Sequence, residues 1–232
     1  MTAPFSRFVE DADLPKGIHA ARQHDIGYRK RGLYRRGFKR ALDVALVLLA
    51  APFVVPLVAG LAIAVAREGG RPFYTQNRVG MGGRVFRMWK LRSMVVDADT
   101  RMVAHLDSDP EARREWDETQ KLRNDPRITP FGQFLRKSSL DELPQLWNVF
   151  TGDMSLVGPR PMMTCQTALY PSTGYYAVRP GITGYWQTAG RGKTTFAARA
   201  DYDDAYERDL SLVTDLAVLT RTVGVVVNGT GS

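Results

Sequence analysis

Between Val44 and Ala66 the chain runs for 23 residues without one charged or strongly polar side chain, and about 20 apolar residues suffice to cross the hydrocarbon of a bilayer as a helix. A soluble core helix of that length would keep a polar stripe, so the segment is predicted to be a membrane element. Pro52 and Pro56 fall near its middle. Each removes a backbone donor and clashes with the carbonyl four residues earlier, which predicts a kink there. Beyond Ala66 the period changes. Phe73 to Gln76 and Arg84 to Met88 alternate in part, and Gly80-Met81-Gly82-Gly83 between them suits the turn of a β-hairpin. Val95 to Lys121 reads as helical with a restart at Ser108-Asp109-Pro110, and Thr129-Pro130 opens a short helix through Arg136 by the same capping logic. Ala200 to Val227 returns to helical spacing through Tyr202, Tyr206, Leu210, Val213, Leu216 and Leu219, an amphipathic pattern that suits either a core face or a membrane surface.

Charge sharpens the membrane reading. The chain carries 32 Lys+Arg against 24 Asp+Glu, a formal net charge of +8, and a pI near 9.8, so its partners are expected to be anionic. Seven cations flank each end of the apolar segment: Arg29, Lys30, Arg31, Arg35, Arg36, Lys39 and Arg40 before it, and Arg67, Arg71, Arg78, Arg84, Arg87, Lys90 and Arg92 after it. Positive flanks favour the cytoplasmic side. With both flanks basic and a proline pair between them, the segment is expected to enter and leave one leaflet, although a kinked spanning helix is the commoner object. Residues 1–32 mix Pro, Gly, Arg and acids without a period, and are expected to form a disordered basic tail. They show no secretory signature. Residues 33–68 are then a re-entrant helix-break-helix. Residues 69–232 are expected to form a cytosolic domain that the chemistry below makes the catalytic one, and its hydropathy is ordinary, since the whole chain averages −0.25 despite the apolar run. A single cysteine, Cys165, excludes a disulfide framework.

Reactive side chains concentrate in Arg136-Lys137-Ser138-Ser139-Leu140-Asp141-Glu142-Leu143-Pro144-Gln145. Ser139 with Glu142 three residues on has the form of a capping box, but Pro144 then falls where its missing N–H should bond back along the helix. A helix starting at Asp141 removes the conflict. In either register the two carboxylates sit at the positive end of a helix, which also receives phosphate oxygens. Arg160 lies between Pro159 and Pro161, a rigid setting for a guanidinium that recognises phosphate. Arg179-Pro180-Gly181-Ile182-Thr183-Gly184-Tyr185-Trp186-Gln187 repeats this punctuation. Three such stretches in about fifty residues suggest a site built on loops. Asp141 and Glu142 also offer the one or two carboxylates by which Mg²⁺ is typically held beside a substrate's phosphates. His19, His24 and His105 are scattered, and nothing has zinc spacing.

Lys39-Arg40-Ala41-Leu42-Asp43, Gln76-Asn77-Arg78-Val79-Gly80, Lys90-Leu91-Arg92-Ser93-Met94, Asp125-Pro126-Arg127-Ile128-Thr129, the run from Phe134 through Pro161, and Pro180-Gly181-Ile182-Thr183-Gly184 resemble the bacterial sugar transferases called monotopic phosphoglycosyl transferases. The resemblance covers roughly Phe38 to Val227 and is to the short form, without the multi-span N-terminal domain of larger relatives. It implies an α+β fold, mainly helical, with a small hairpin, a re-entrant membrane helix and amphipathic interfacial helices at the cytoplasmic face of a bacterial inner membrane. The implied reaction moves a hexose 1-phosphate from a UDP-sugar to a polyprenol phosphate such as undecaprenyl phosphate, with release of UMP. Asp141 is then the nucleophile and Glu142 the main Mg²⁺ ligand, the pair sharing the catalytic and metal roles. Lys90, Arg136 and Gln187 match family positions associated with the site and Asp203 a family acidic position, ambiguously because Asp204 adjoins it; with Arg160 they are the expected substrate-binding residues. The stretch His105 to Lys121 resembles members that start exopolysaccharide with galactose or glucose. One departure is Ala51, where the family often has a Ser before the kinking proline. A homo-oligomer is compatible with this reading. The competing reading is a membrane-anchored basic protein that holds anionic lipid or nucleic acid without catalysis. It explains the charge but leaves the paired carboxylates without a purpose, because acids on such a face repel phosphates, so no nucleic-acid partner is expected.

Overall fold

The computed structural model describes residues 32–119, 122–190 and 196–227. The expected tail lies outside these residues apart from Gly32. A π-helical turn at Tyr34–Phe38 leads into α1 (Lys39–Arg67), which stays helical through Pro52 and Pro56. Its middle is apolar all round and faces outward, with Leu48, Leu49, Phe53, Val55, Leu57 and Ile63 exposed. Both of its ends dock on the globular part. At the N-terminal end the Asp43 carboxylate accepts from Ser155 Oγ at 2.8 Å and Leu156 N at 3.1 Å, and Val47 packs with Phe86, Met88, Val149 and Met154. At the C-terminal end Ala62 and Val65 pack with Leu91 and Leu135, and Arg92 Nη2 donates to the Val65 carbonyl at 3.0 Å.

The hairpin is longer than its sequence pattern. Strands β1 (Phe73–Val79) and β2 (Val85–Leu91) pair antiparallel from Phe73 opposite Leu91 to Val79 opposite Val85, joined by a short 3₁₀ turn at Met81–Gly83. Helices α2 (Ala98–Ser108) and α3 (Pro110–Thr119) meet at the expected restart, where Asp109 Oδ1 accepts from the N–H groups of Glu111 and Ala112 at 2.9 and 3.0 Å. Helix α4 (Pro130–Lys137) is capped by Thr129, whose hydroxyl accepts from Gly132 N at 2.9 Å. Helix α5 (Gln145–Thr151) is pinned to β2 by Asn148, which accepts from Trp89 N at 3.0 Å and donates to the Arg87 carbonyl at 2.7 Å.

The C-terminal end of α5 is closed by Gly152 at φ 94°, the left-handed residue such ends favour. Arg40 of α1 then bonds the last carbonyls, those of Val149 and, at 2.7 Å, Phe150. A cation at a helix C-terminus complements its dipole, so α1 and α5 are held together.

Strand β3 (Ser155–Val157) pairs parallel with β4 (Gly181–Thr183), on either side of the four-residue helix α6 (Gly174–Ala177). This pair was not expected, because three-residue strands leave no readable period. Gly158 and Gly181 make it fit: a Cβ on Gly181 would stand 2.1 Å from Gly158 N.

The amphipathic C-terminal stretch is two helices, α7 (Arg199–Asp209) and α8 (Leu212–Val227). Asp215 of α8 is buried and collects Lys39 Nζ and Tyr34 Oη at 2.5 Å and Tyr206 Oη at 2.8 Å. Leu212, Val213, Leu216 and Val223 of the same helix are exposed. The fold is therefore mainly helical with small two-stranded sheets and one long apolar helix, as the sequence predicts at that level.

Candidate active site

The two carboxylates do not open a regular helix. Asp141 and Glu142 stand on a 3₁₀ turn, Leu140–Glu142, ahead of α5, and Pro144 is the residue that precedes the helix. Ser139 adopts a left-handed conformation (φ 58°, ψ 17°) and makes no side-chain cap bond. It is the one non-glycine residue with positive φ among those described. Such a conformation costs roughly 1–2 kcal/mol in a residue with a Cβ. Neither helix register anticipated from the sequence is the one adopted. Pro144 explains why: without an N–H it is better tolerated at the edge of a helix than inside one, and the chain turns sharply at Ser139 to reach it.

Lys90, the penultimate residue of β2, reaches across to the turn. Its ammonium lies 2.9 Å from Glu142 Oε1 and 3.5 Å from Asp141 Oδ2. From the loop after β3, Arg160 Nη2 approaches the same Glu142 oxygen at 3.4 Å. Lys90, Glu142 and Arg160 line a shallow cleft with Arg78, Gln145, Gly181 and Ile182. Asp141 is 5% exposed, and burial pushes its carboxyl above the usual range. The Lys90 charge pulls it back, Glu142 pushes it further up, and Arg136 opposes that. Arg136 itself donates from Nε to Ser93 Oγ at 3.0 Å. The structure thus gathers Asp141, Glu142, Lys90 and Arg160, with Arg136 behind Asp141.

Two of the expected residues stand apart from the cleft. Gln187 is buried on the turn Trp186–Gly190 after β4, and neither its amide oxygen nor its nitrogen has a hydrogen-bond partner among the described residues. Asp203 lies on α7, where it takes the Tyr170 hydroxyl and pairs with Arg199 Nε at 3.5 Å. It is linked to the cleft by Arg199, whose Nη2 donates to the carbonyl of Arg160 and whose guanidinium lies over the Trp186 and Phe196 rings.

Sequence reasoning passed over Arg78 and Arg199 as site residues. Arg78 is half-buried, donates to the Pro161 carbonyl at 3.1 Å and to Gln76 Oε1 at 2.5 Å, and makes no described ion pair with a carboxylate. Burial, with Arg160 nearby, lowers its pKa to about 10, still well above neutrality, so it stays charged. Arg78, Lys90 and Arg160 together make the cleft a place where phosphate oxygens would be neutralised. The only advance signal was the position of Arg78 inside the motif Gln76-Asn77-Arg78-Val79-Gly80.

The Asp203 network gives a pH signature. Burial raises the Asp203 carboxyl to about 6, against the lowering effects of Arg199 and Tyr170. A carboxyl raised in the folded state contributes stability that is fully present below its unfolded value, near 3.8, and is lost as the pH climbs through 6. At 1.36 kcal/mol per pH unit that is ~3 kcal/mol at most. Urea unfolding across this window should show stability falling with pH, and Asp203→Asn should flatten that slope. An unchanged slope in the variant would assign the titration to another group.

No described group of three or more His, Cys, Asp or Glu residues could hold a metal ion alone. The donor set fits a different arrangement: two adjacent carboxylates supply hard oxygens for Mg²⁺ that is completed by a substrate's phosphates. With four elements converging on a carboxylate pair ringed by cations, comparison with known proteins decides the family. Residues 34–229 match the bacterial sugar transferase family. The chain belongs to that family. It is 45% identical over 199 residues to the UDP-galactose-lipid carrier transferase of Erwinia amylovora, covering 85% of this chain and 42% of that protein. It is 42% identical over 212 residues to the undecaprenyl-phosphate galactose phosphotransferase of Salmonella typhimurium, covering 90% and 44%. Against the exopolysaccharide production protein ExoY of Sinorhizobium fredii it is 40% identical over 197 residues, 84% of this chain and 87% of the relative. The chain thus spans less than half the length of the first two relatives and most of the third. In this sugar transferase the matched region holds every described element of the cleft.

Proposed function

We propose that this sugar transferase moves a hexose 1-phosphate, with galactose or glucose favoured, from a UDP-sugar to undecaprenyl phosphate at the cytoplasmic face of a bacterial inner membrane, releasing UMP and starting exopolysaccharide or another surface glycan. The observation that carries this reading is the buried Asp141 beside Glu142, with Lys90 and Arg160 held on the same oxygen of Glu142. In the mechanism we infer, the Asp141 carboxylate attacks the β-phosphorus of the donor, forming an aspartyl–phosphate bond while the bond to the UMP oxygen breaks. The phosphate of the acceptor then attacks the same phosphorus and frees the carboxylate. A covalent intermediate lets a soluble donor and a membrane-bound acceptor use one site in turn. Lys90 favours the ionised form of Asp141 against its burial, while Arg160 and Arg78 bind and orient phosphate oxygens. Asp141 and Glu142 would hold Mg²⁺, which when bound neutralises charge on the departing phosphate. The reading is tested by UMP release from a panel of UDP-sugars with polyprenol phosphate in detergent. Release with UDP-galactose or UDP-glucose is expected, and none with any donor would favour a basic lipid-binding anchor.

The same reading has α1 re-entrant. Its two ends dock on one globular unit, at Ser155, Val149 and Met154 on one side and at Leu91 and Leu135 on the other, whereas a spanning helix would put those docking points on opposite sides of ~30 Å of hydrocarbon. Val47 and Val65 would be ~27 Å apart on a straight helix, yet they pack against Phe86 and Leu91 of one strand, which are ~17 Å apart by strand rise. A bend at Pro52 and Pro56 would absorb the difference. Single cysteines placed near Arg36 and Arg71 should both label from the cytoplasmic side, and opposite accessibility would sink the re-entrant course. Replacing both prolines with Ala should shift α1 toward spanning and lower activity.

A further inference from the structure

We infer that the open cleft beside the N-terminal end of α1 binds the phosphodiester headgroup of an anionic phospholipid, with the acyl chain running down the apolar flank of the helix. The inference rests on the membrane placement of α1 proposed above and not on the chemistry at Asp141.

The cleft has a volume of about 640 Å³ and shares no lining residue with the one lined by Lys90, Glu142 and Arg160. Five of its lining side chains are cationic, and the structure divides them into two kinds. Arg35 and Lys39 are already neutralised, by Glu207 and Asp215, each at 2.5 Å. Arg36, Arg40 and Arg179 form no ion pair with a described carboxylate. Arg40 is spent on the carbonyls that end α5, and Arg179 donates from Nε to the Gly152 carbonyl at 3.0 Å. The acid that faces them, Asp43, is engaged by Ser155 and Leu156. Burial lowers the Arg179 pKa first, the neighbouring Arg40 lowers it further, and Asp43 pulls it partly back. Two guanidinium groups therefore repel each other in a half-buried setting, offset only in part by Asp43. A bound phosphate would answer that charge in a geometry guanidinium groups favour.

The other wall says what carries the phosphate. Arg36, Arg40, Val44 and Leu48 follow one another at four-residue spacing along one face of the helix, so the cationic end of the cleft passes directly into an apolar stripe. Leu48 is 55% exposed and begins the outward-facing apolar middle of α1. A soluble anion would have no use for that stripe, whereas a lipid fills both ends. The acceptor is the less suitable lipid here, because its phosphate has to reach Asp141.

The test uses the full chain extracted from vesicles of phosphatidylcholine and phosphatidylglycerol in equal parts, with retained lipid read by native mass spectrometry. It is done in the Asp141→Asn background, so that turnover plays no part. Selective retention of phosphatidylglycerol is expected. Removing two headgroup-facing cations in Arg36→Gln with Arg179→Gln should lower that selectivity by at least about tenfold, since each cation near an anionic surface contributes on the order of a factor of five. Arg36→Gln alone, which removes no described side-chain hydrogen bond, should lower it several-fold and covers the case in which the double variant fails to fold. Arg67→Gln removes an equal charge at the other end of α1 and should leave it unchanged. Equal losses in Arg67→Gln and Arg36→Gln would reduce the effect to diffuse attraction and overturn the site. Retention of added polyprenyl phosphate that falls in Arg36→Gln, in place of phosphatidylglycerol, would overturn the phospholipid assignment. Failure of the wild-type chain to float with vesicles at all would overturn the site and the membrane placement together, whereas flotation without headgroup preference would overturn the site alone.

Discussion

Asp141→Asn is expected to lose at least about 10⁴-fold in turnover, because it removes the nucleophile and not a contact that the rest of the site could replace. The substitution preserves shape and removes the charge that Lys90 holds at 3.5 Å, so the fold should survive and donor binding should change little. Glu142→Gln should behave differently. It leaves the nucleophile in place and weakens a phosphate-bound Mg²⁺, so its activity should fall less and should need more Mg²⁺ to saturate. Steady-state turnover across a Mg²⁺ titration separates the two. If Asp141→Asn retained a tenth or more of wild-type turnover, Asp141 would not be the attacking group.

Lys90→Met is expected to cost about 10²–10³-fold at neutral pH and to displace the pH profile. Lys90 is the group that most strongly lowers the Asp141 carboxyl against burial. Without it the folded-state value rises further, so at a given pH a smaller fraction of Asp141 is ionised. The acid limb of the rate profile should therefore move to higher pH, with part of the lost activity returning as the pH rises. Glu142 also loses its 2.9 Å partner and keeps Arg160 at 3.4 Å, so recovery should be incomplete. A uniform loss at every pH would mean that Lys90 binds substrate without controlling ionisation.

What could be read from the sequence was whatever depends on near neighbours. The apolar run from Val44 to Ala66 shows itself by composition, and the Thr129-Pro130 start is a local capping bond, realised at 2.9 Å. The dyad was found by type and company, and Arg160 by its flanking prolines. Its setting was not legible, because nothing in Ser138-Ser139-Leu140 specifies a left-handed Ser139, and the conformation is imposed by the surrounding packing. Arg78 and Arg199 went unassigned for a related reason. Arg78 bonds a carbonyl 83 residues away and Arg199 one 39 residues away, so their roles exist only once the strands and α7 have been brought together. The β3–β4 pair depends on the close approach of Gly158 and Gly181, which no hydrophobic period announces.

The central claim, a phosphoryl bond to Asp141, is tested most directly by mixing enzyme, Mg²⁺ and UDP-sugar without acceptor. The account requires a burst of UMP of up to one equivalent per chain and a hexose-phosphate adduct on the peptide that carries Asp141, both absent in Asp141→Asn and the adduct discharged when polyprenol phosphate is added. Enzyme that turns over normally with acceptor but shows neither burst nor adduct without it would contradict the account and point to direct attack by the acceptor phosphate.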